Sequence, residues 1–334
     1  MEIIKETRKS LLEKCKKLNI KGCSTKNVNQ LKNLIENFQE ILEPDLPKGN
    51  ITFYEGDCIT ELDKVENGII QTVCIDPPYN IGKDTWDNVP DYINWLTGIV
   101  KTLTTKMKRN GSMFIFHNDM EQIAELMISI KKNTNLVFKQ MITWNKRFDG
   151  SSKKGFLDGF VVKNEMHNWN KMAEYILFYT FDNSSLIHET RIEKKVTQMT
   201  ISQEIKSKTG GLTGWFSNIE TGKNMPTQST IIPITKHLGI TFDQIVPKFR
   251  NLKTHHSVWN YDMAPRNEVH MTPKPSDLLE NIILHTTDIG DLLLDCFAGT
   301  GSFGYACEKT GRNCILIEKE HVYAEYIKSK IDLI

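Results

Sequence analysis

"GDLLLDCFAGTGSFGYACEKTGRNCILIEKE" occupies residues 290–320. An apolar run ends at Asp295, glycines follow at 299, 301 and 304, and a second apolar run ends at Glu318. The apolar runs are short and bounded by turn residues, so "GDLLLDCF" and "NCILIEKE" read as buried strands and "GSFGYACEKTG" as the helix between them. Outside them, "PSDLLENIILHTT" and "HVYAEYIKSKI" read as flanking helices. A strand–helix–strand repeat of this kind calls for a parallel sheet covered by helices.

The same alternation appears far upstream. "ITFYEGD", "IIQTVCID", "GSMFIFHN", "LVFKQMITWNK" and "AEYILFYTF" read as strands, with "DYINWLTGIVKTLTTKMK" and "DMEQIAELMISIKK" as helices. One sheet is therefore expected from both ends of the chain. Between about 182 and 258 the pattern dissolves into residues such as Gly210, Gly211, Gly214, Pro226, Pro233 and Pro247, which reads as an irregular insertion. At the other end, residues 6–18 place Leu11, Leu12, Cys15 and Leu18 on one face, and Leu31, Leu34, Ile35 and Phe38 form a second face. Residues 1–42 thus read as a helical hairpin with Gly22 as a stop and Ser24 or Thr25 as the next cap, joined by a linker at 43–50. The remaining division is 51–181, the insertion 182–257, and 258–334.

The glycine turn lets backbone approach a ligand closely, and an acid at the next strand tip, Glu318, suits ribose hydroxyls. Gly299, Gly301 and Gly304 also fit a dinucleotide fingerprint. Asp295 weighs against that reading, because a carboxylate at the strand mouth repels a pyrophosphate. No lysine or arginine lies between Leu292 and Glu308 to offset phosphate charge. A cationic nucleoside ligand fits better, and S-adenosyl-L-methionine carries an ammonium and a sulfonium.

A second motif follows a buried strand. Asp76, Pro77, Pro78 and Tyr79 come directly after "IIQTVCI". In an open parallel sheet ligands bind beyond the carboxyl ends of strands, so both motifs are expected on one rim. A nucleobase exocyclic amine is conjugated and barely nucleophilic. Two acceptors on its N–H bonds free its lone pair, and the Asp76 carboxylate and the Pro77 carbonyl offer them. The prolines fix φ and direct that carbonyl outward. Tyr79 offers a face for stacking, worth on the order of 1–3 kcal/mol. A paired base hides its amine, so the target must be flipped out or single-stranded.

At 334 residues the chain fits one large domain with an appendage, or two domains. No stretch reaches the roughly 18 apolar residues of a membrane span, and the N-terminus lacks the apolar block of a signal peptide. Seven cysteines without metal spacing read as reduced thiols of an intracellular protein. The net charge of +1 conceals +4 over residues 1–40, +6 over 140–260 and −9 over the rest. Basic segments on an acidic body suit a polyanion such as DNA. His255 and His256 are read as surface residues, and no metal is expected.

Together these motifs resemble the amino-group DNA methyltransferases, in the permuted order of the β group. "DPPY" resembles their catalytic motif, "DCFAGTG" their cofactor motif, "EGDCITEL" at 55–62 their upstream Gly-Asp element and "HMTPKP" at 270–275 their H-x-T-x-K-P element. The resemblance covers roughly residues 51–180 and 258–332. It implies a Rossmann-like α/β methyltransferase fold, a seven-stranded sheet with one antiparallel strand and helices on both faces. It also implies S-adenosyl-L-methionine as cofactor, held by Asp57, Cys74, Asp76, His270, Lys274, Pro275, Asp295, Phe297, Ala298, Gly299, Thr300, Gly301 and Glu318. Lys274 and Pro275 would border its methionine end, and Asp57 its adenine.

The acid of the catalytic motif favours adenine N6, whereas N4-cytosine enzymes more often carry serine there. Residues 182–257 take the place of the target recognition region, with Lys206, Lys208, Trp215, Lys223, Lys248 and Arg250 as candidate DNA contacts. Lys83 and Trp86 belong to a polar loop suited to closing over a flipped base. The N-terminal hairpin resembles SAP-type DNA-binding modules. The expected partners are DNA, a second copy of the chain and a cognate restriction endonuclease. The expected function is methylation of adenine N6. The alternatives are a cytosine-N4 enzyme, methylation of an RNA amine, and an inactive DNA-binding protein. A glutamine-directed protein methyltransferase would carry asparagine at position 76.

Overall fold

The computed structural model describes residues 7–17, 23, 25–32, 34–35, 47–82, 87–158, 169–207, 211–250, 252, 256–265 and 273–331. In chain order its elements are α1 (Arg8–Lys17), β1 (Ile51–Glu55), α2 (Cys58–Glu61), β2 (Ile70–Ile75), α3 (Tyr92–Lys106), β3 (Met107–His117), α4 (Met120–Asn133), β4 (Leu136–Asn145), α5 (Lys154–Asp158), β5 (Ala173–Phe181), α6 (Ser184–Glu193), α7 (Gln198–Ser202), α8 (Trp215–Glu220), α9 (Ile231–Leu238), α10 (Phe242–Ile245), β6 (Val258–Asn260), α11 (Ser276–Thr286), β7 (Leu292–Asp295), α12 (Ser302–Lys309), β8 (Asn313–Glu318) and α13 (His321–Ile331). The eight strands belong to one sheet, one strand more than the seven implied by the resemblance. The chain forms two compact units: Met1–Glu55, Ile142–Tyr175 and Phe249–Ile334 make one, and Gly56–Met141 and Ile176–Lys248 the other.

In the first unit the strand order is β1-β8-β7, all parallel, with Ile51 and Leu293 both opposite Cys314. Leu293, Leu294, Leu316 and Ile317 are fully enclosed, each contributing about 1.5–3 kcal/mol of burial. The stripe Leu278, Leu279, Ile282 and Ile283 of α11 is buried too, at the spacing of one helix face. Gly304 of α12 faces β8 so closely that a Cβ there would lie 2.6 Å from Leu316 Cδ1. A larger residue there would force the buried Leu316 side chain to move. In the same unit β4 and β6 pair in parallel, Trp144 opposite Trp259.

In the second unit β2 is buried along all six residues and pairs in parallel with β3, Cys74 opposite Phe114. Leu96, Ile99, Val100 and Leu103 of α3 and Ile123, Leu126 and Ile130 of α4 are buried at helical spacing. Asp119 caps α4 by accepting the N–H groups of Glu121 and Gln122.

The segment expected to be irregular carries five short helices, α6 to α10, joined by turns and loops. Helices α6 to α10 enclose a cluster of Ile187, Ile201, Phe216, Ile219, Ile231, Ile234, Leu238, Ile240 and Ile245. The punctuating residues sit at the edges of these helices. Gly214 caps α8 and Gly239 ends α9 with a φ of 72°. Pro233 lies in the first turn of α9, where its missing N–H breaks no helical bond. Thr241 and Gln244 form a capping box on α10. Each helix is short, so the caps outnumber the periodic residues that signal a helix.

At the N-terminus, α1 and the helical residues 28–32 and 34–35, with Cys23 from between them, supply the cluster Leu11, Cys15, Cys23, Leu31, Leu34 and Ile35. The second helix is capped by Asn27 in place of Ser24 or Thr25: Asn27 Oδ1 accepts from Gln30 N, and Gln30 Oε1 accepts from Asn27 N, both at 3.0 Å. That reciprocal pair satisfies two otherwise orphaned donors. Leu18, Gly22, Ser24 and Phe38 lie outside the described residues. No helix among the described residues is long and apolar enough to cross a membrane.

Candidate active site

In the second unit, β2 runs buried to Ile75 and Asp76 begins a fixed turn. Asp76 is half-buried, and Pro77 and Tyr79 are buried. The Tyr79 hydroxyl donates to Asp76 Oδ1 at 2.7 Å. Asn80 then takes the left-handed region, φ 54°, a conformation Asn tolerates better than most side chains. Asp87, 1% exposed, closes the loop. Its Oδ1 accepts from Asn80 N at 2.7 Å and its Oδ2 from Ile81 N at 3.1 Å. Asn80 Oδ1 in turn accepts from Val89 N at 2.9 Å, and the Gln122 amide donates to the Tyr79 carbonyl at 3.1 Å. The turn is thereby held by side chains from beyond the motif.

Behind Tyr79 lies His117, the last residue of β3, with ring centroids 5.0 Å apart. His117 Nδ1 accepts from Asp119 N at 3.1 Å, so its proton sits on Nε2, 3.0 Å from the Tyr92 hydroxyl. Burial pushes the imidazole down to about 4, and the ring is neutral at pH 7. Burial likewise pushes the Tyr92 phenol up. Asp87, Asn80, His117, Tyr92 and Gln122 were missed by sequence reasoning. The usable signal was positional: His117 is a polar residue at the carboxyl tip of an apolar strand. Asp57 caps α2, its Oδ1 accepting from Ile59 N at 3.0 Å. Cys74 is enclosed within β2. Lys83 and Trp86 lie outside the described residues.

In the first unit, Asp295 is buried and accepts the Phe297 N–H at 3.0 Å. Ala298 N donates to the Ile317 carbonyl at 3.0 Å, and Gly299 N donates to Glu318 Oε2 at 2.6 Å. Glu318 Oε1 accepts from Glu320 N at 2.8 Å. Burial pushes the Glu318 carboxyl up from its ordinary value, and these N–H groups oppose the shift. Gly299 and Gly301 have φ of 53° and 83°, where a Cβ would strain the backbone. Phe297 and Gly299 are half-buried, while Ala298 and Thr300 are buried. A glycine turn flanked by two buried carboxylates, with no cation between residues 292 and 308, is a donor set suited to a cationic nucleoside ligand.

Lys274 Nζ lies 3.5 Å from Glu174 Oε2, and buried Pro275 caps α11. His270 lies outside the described residues. Of the DNA candidates, Lys206 and Lys223 are exposed and Lys208 is outside the described residues. Trp215 donates its indole N–H to the Ser202 carbonyl at 3.1 Å and packs against the helical cluster. Lys248 is half-buried, and its backbone N–H donates to the Asn110 carbonyl at 3.0 Å. Arg250 is exposed and pairs with Asp288. On the surface Glu55, His321 and Glu325 approach one another. Lys328 Nζ sits 2.5 Å from Glu55 and 2.8 Å from Glu325, an ammonium where a metal ion would have to be.

A family model described as DNA methylase, of the N6/N4 type, matches residues 70–329. The chain is 26% identical over 292 residues to the type II methyltransferase M1.MboII of Moraxella bovis, covering 82% of this chain and 92% of that protein. It is 26% identical over 294 residues to the DNA adenine methyltransferase YhdJ of Escherichia coli (strain K12), covering 83% and 80%. Its fold is similar to that of the cytosine-N4-specific PvuII DNA methyltransferase, with a TM-score of 0.55 and 14% identity over 86% of this chain and 91% of that one.

Proposed function

The chain belongs to the N6/N4 DNA methylase family, and from that premise we propose that it methylates the N6 amine of adenine in DNA at a specific sequence. The family's cofactor is S-adenosyl-L-methionine, which supplies an electrophilic methyl group on a sulfonium. In this chain Asp295, Phe297, Ala298, Gly299, Thr300, Gly301 and Glu318 would hold it, with Asp57 at its adenine and Lys274 and Pro275 at its methionine end.

The observation that carries the reading is the braced turn after β2. Asp76 and the Pro77 carbonyl accept the two N–H bonds of the amine, which turns its lone pair out of conjugation. Tyr79 stacks on the base, and its hydroxyl already fixes one oxygen of Asp76. The Asp76 carboxylate accepts the proton the amine sheds. His117, neutral and packed on Tyr79, keeps the ring in place. An acid at position 76, where serine is the commoner residue of N4-cytosine enzymes, supports adenine as the base.

Residues 182–257 are the proposed recognition region, and the N-terminal hairpin is a proposed second DNA contact. A modification role accords with the name of the Moraxella relative, a type II methyltransferase; a cognate restriction endonuclease, homodimerisation and action wherever DNA is accessible complete the proposal. The test is incubation with methyl-labelled cofactor and DNA, digestion to nucleosides and identification of the label by mass. Labelled N6-methyldeoxyadenosine supports the reading. Labelled N4-methyldeoxycytidine replaces the base, and bound DNA without label replaces catalysis with binding alone.

A further inference from the structure

Four rings follow one another from the turn after β2. Tyr79 and His117 have centroids 5.0 Å apart, His117 and Tyr92 5.8 Å, and Tyr92 and Trp95 5.9 Å. His117 is fully enclosed and Tyr92 is 4% exposed. Tyr92 opens α3 and His117 closes β3, so the rings join the turn to two elements outside its motif.

The contacts along this file have a direction. Asp119, the cap of α4, donates its backbone N–H to His117 Nδ1 at 3.1 Å, so the imidazole keeps its proton on Nε2. That proton is donated to the Tyr92 hydroxyl oxygen at 3.0 Å. Both ring nitrogens are thus engaged, and the plane of the imidazole is fixed. The imidazole packs against Tyr79, whose hydroxyl donates to Asp76 Oδ1 at 2.7 Å. A shift of the Tyr79 ring carries that hydroxyl with it, and so disturbs the carboxylate.

The backbone is bent at both ends of the group. Among the described residues three non-glycine residues have positive φ, and two adjoin these rings. Asn80, at 54°, directly follows Tyr79, and Asp91, at 48°, directly precedes Tyr92. Such conformations are disfavoured for a residue with a side chain and persist where the surroundings hold them. An apolar residue would fill the place of His117 with no polar contacts to satisfy. A buried ring bonded at both nitrogens selects one orientation instead.

We propose that Tyr92 is a positioning residue for methyl transfer and acts through His117: their hydrogen bond holds the imidazole against one face of Tyr79 and leaves the opposite face for the base. The inference rests on the methyltransferase reading and carries the brace of Tyr79 beyond His117 to α3. The role assigned to Tyr92 needs no contact with base or cofactor.

The test is a double-mutant cycle on the full-length protein. Its readout is the single-turnover rate of methyl transfer from labelled cofactor to unmethylated genomic DNA. Tyr92→Phe removes one buried oxygen. It is expected to slow transfer about five- to ten-fold, the effect of losing one hydrogen bond, with affinities for S-adenosyl-L-methionine and DNA within about two-fold of wild type. His117→Gln takes away the ring that packs on Tyr79 and is expected to slow transfer at least as much. Adding Tyr92→Phe to it costs nothing further, because the route from Tyr92 is already cut. Losses that multiply in the double variant, or transfer by Tyr92→Phe at the parent rate, overturn the inference and leave the methyltransferase reading intact. So does a fall in urea stability with the rate per folded molecule unchanged, the result of a purely structural bond. Wild-type protein that transfers no label overturns that reading and the inference with it. Should His117→Gln not fold, Tyr92→Phe decides alone: slower transfer at unchanged cofactor affinity supports the inference, and an equal fall in both overturns it.

Discussion

The turn after β2 and the turn after β7 share one construction and differ in where its brace originates. In each, a buried carboxylate accepts two backbone N–H groups. Asp87 takes those of Asn80 and Ile81, and Glu318 takes those of Gly299 and Glu320. Asp87 comes from the same loop as the turn it holds. Glu318 comes from the tip of the neighbouring parallel strand, so its turn is set by sheet register as well as local chain. The Asp76 turn relies on proline and a side-chain clasp where the other relies on glycine. A stiff chain suits a group that must present two oxygens at fixed angles, and a bare backbone suits close approach of a ligand.

The sharpest way to separate the two turns is Asp76→Ala. It is expected to lower methyl transfer by about 10²–10⁴-fold, the range for a positioned proton acceptor, with cofactor affinity nearly unchanged. Transfer near the parent rate would remove Asp76 from catalysis. Asp87→Ala comes next. It removes the acceptor of two partly buried N–H groups, and should cost stability in urea, by about 1 kcal/mol or more, as well as transfer. An effect on cofactor affinity larger than that on transfer would break the assignment of Asp87 to the acceptor side.

His117 gives a pH signature to the same side. Its folded value, about 4, lies below the ordinary 6.5, so the folded state favours the neutral ring. The associated stability is complete above pH 6.5 and is lost as pH falls toward 4, by about 3 kcal/mol. His117→Gln should flatten that part of the stability curve measured by urea unfolding at a series of pH values. Glu318 has the opposite sign. Its folded value is raised, so its contribution is fully present below the unfolded carboxylate value and declines as pH rises through the raised one. Glu318→Gln should remove this slope from the same stability curve and loosen the glycine turn toward cofactor.

The sheet strands were legible because enclosed strands leave short apolar runs between turn residues, as in Leu292–Leu294 and Ile70–Ile75. Both motifs stood out in the sequence because proline fixes φ and glycine admits a positive φ, as at Gly299 and Gly301. The helices of 184–245 were obscured because their glycines and prolines sit at caps and first turns, where they punctuate structure without preventing it. Asp87, His117 and Glu174 escaped notice for another reason. An acid or a histidine becomes informative only once the fold supplies its partner, and Glu174 meets Lys274 across a hundred residues of chain.

The apolar interior enclosed by α6 to α10 bears on how such a protein changes over generations. A block that keeps its own inside can exchange its outside cheaply. Substitutions at outward positions such as Lys206 and Lys223 leave the packing of Phe216 and Ile234 untouched. Under the recognition role proposed for 182–257, new sequence preferences would arise by drift on that exterior, while the chemistry proposed after β2 is inherited unaltered.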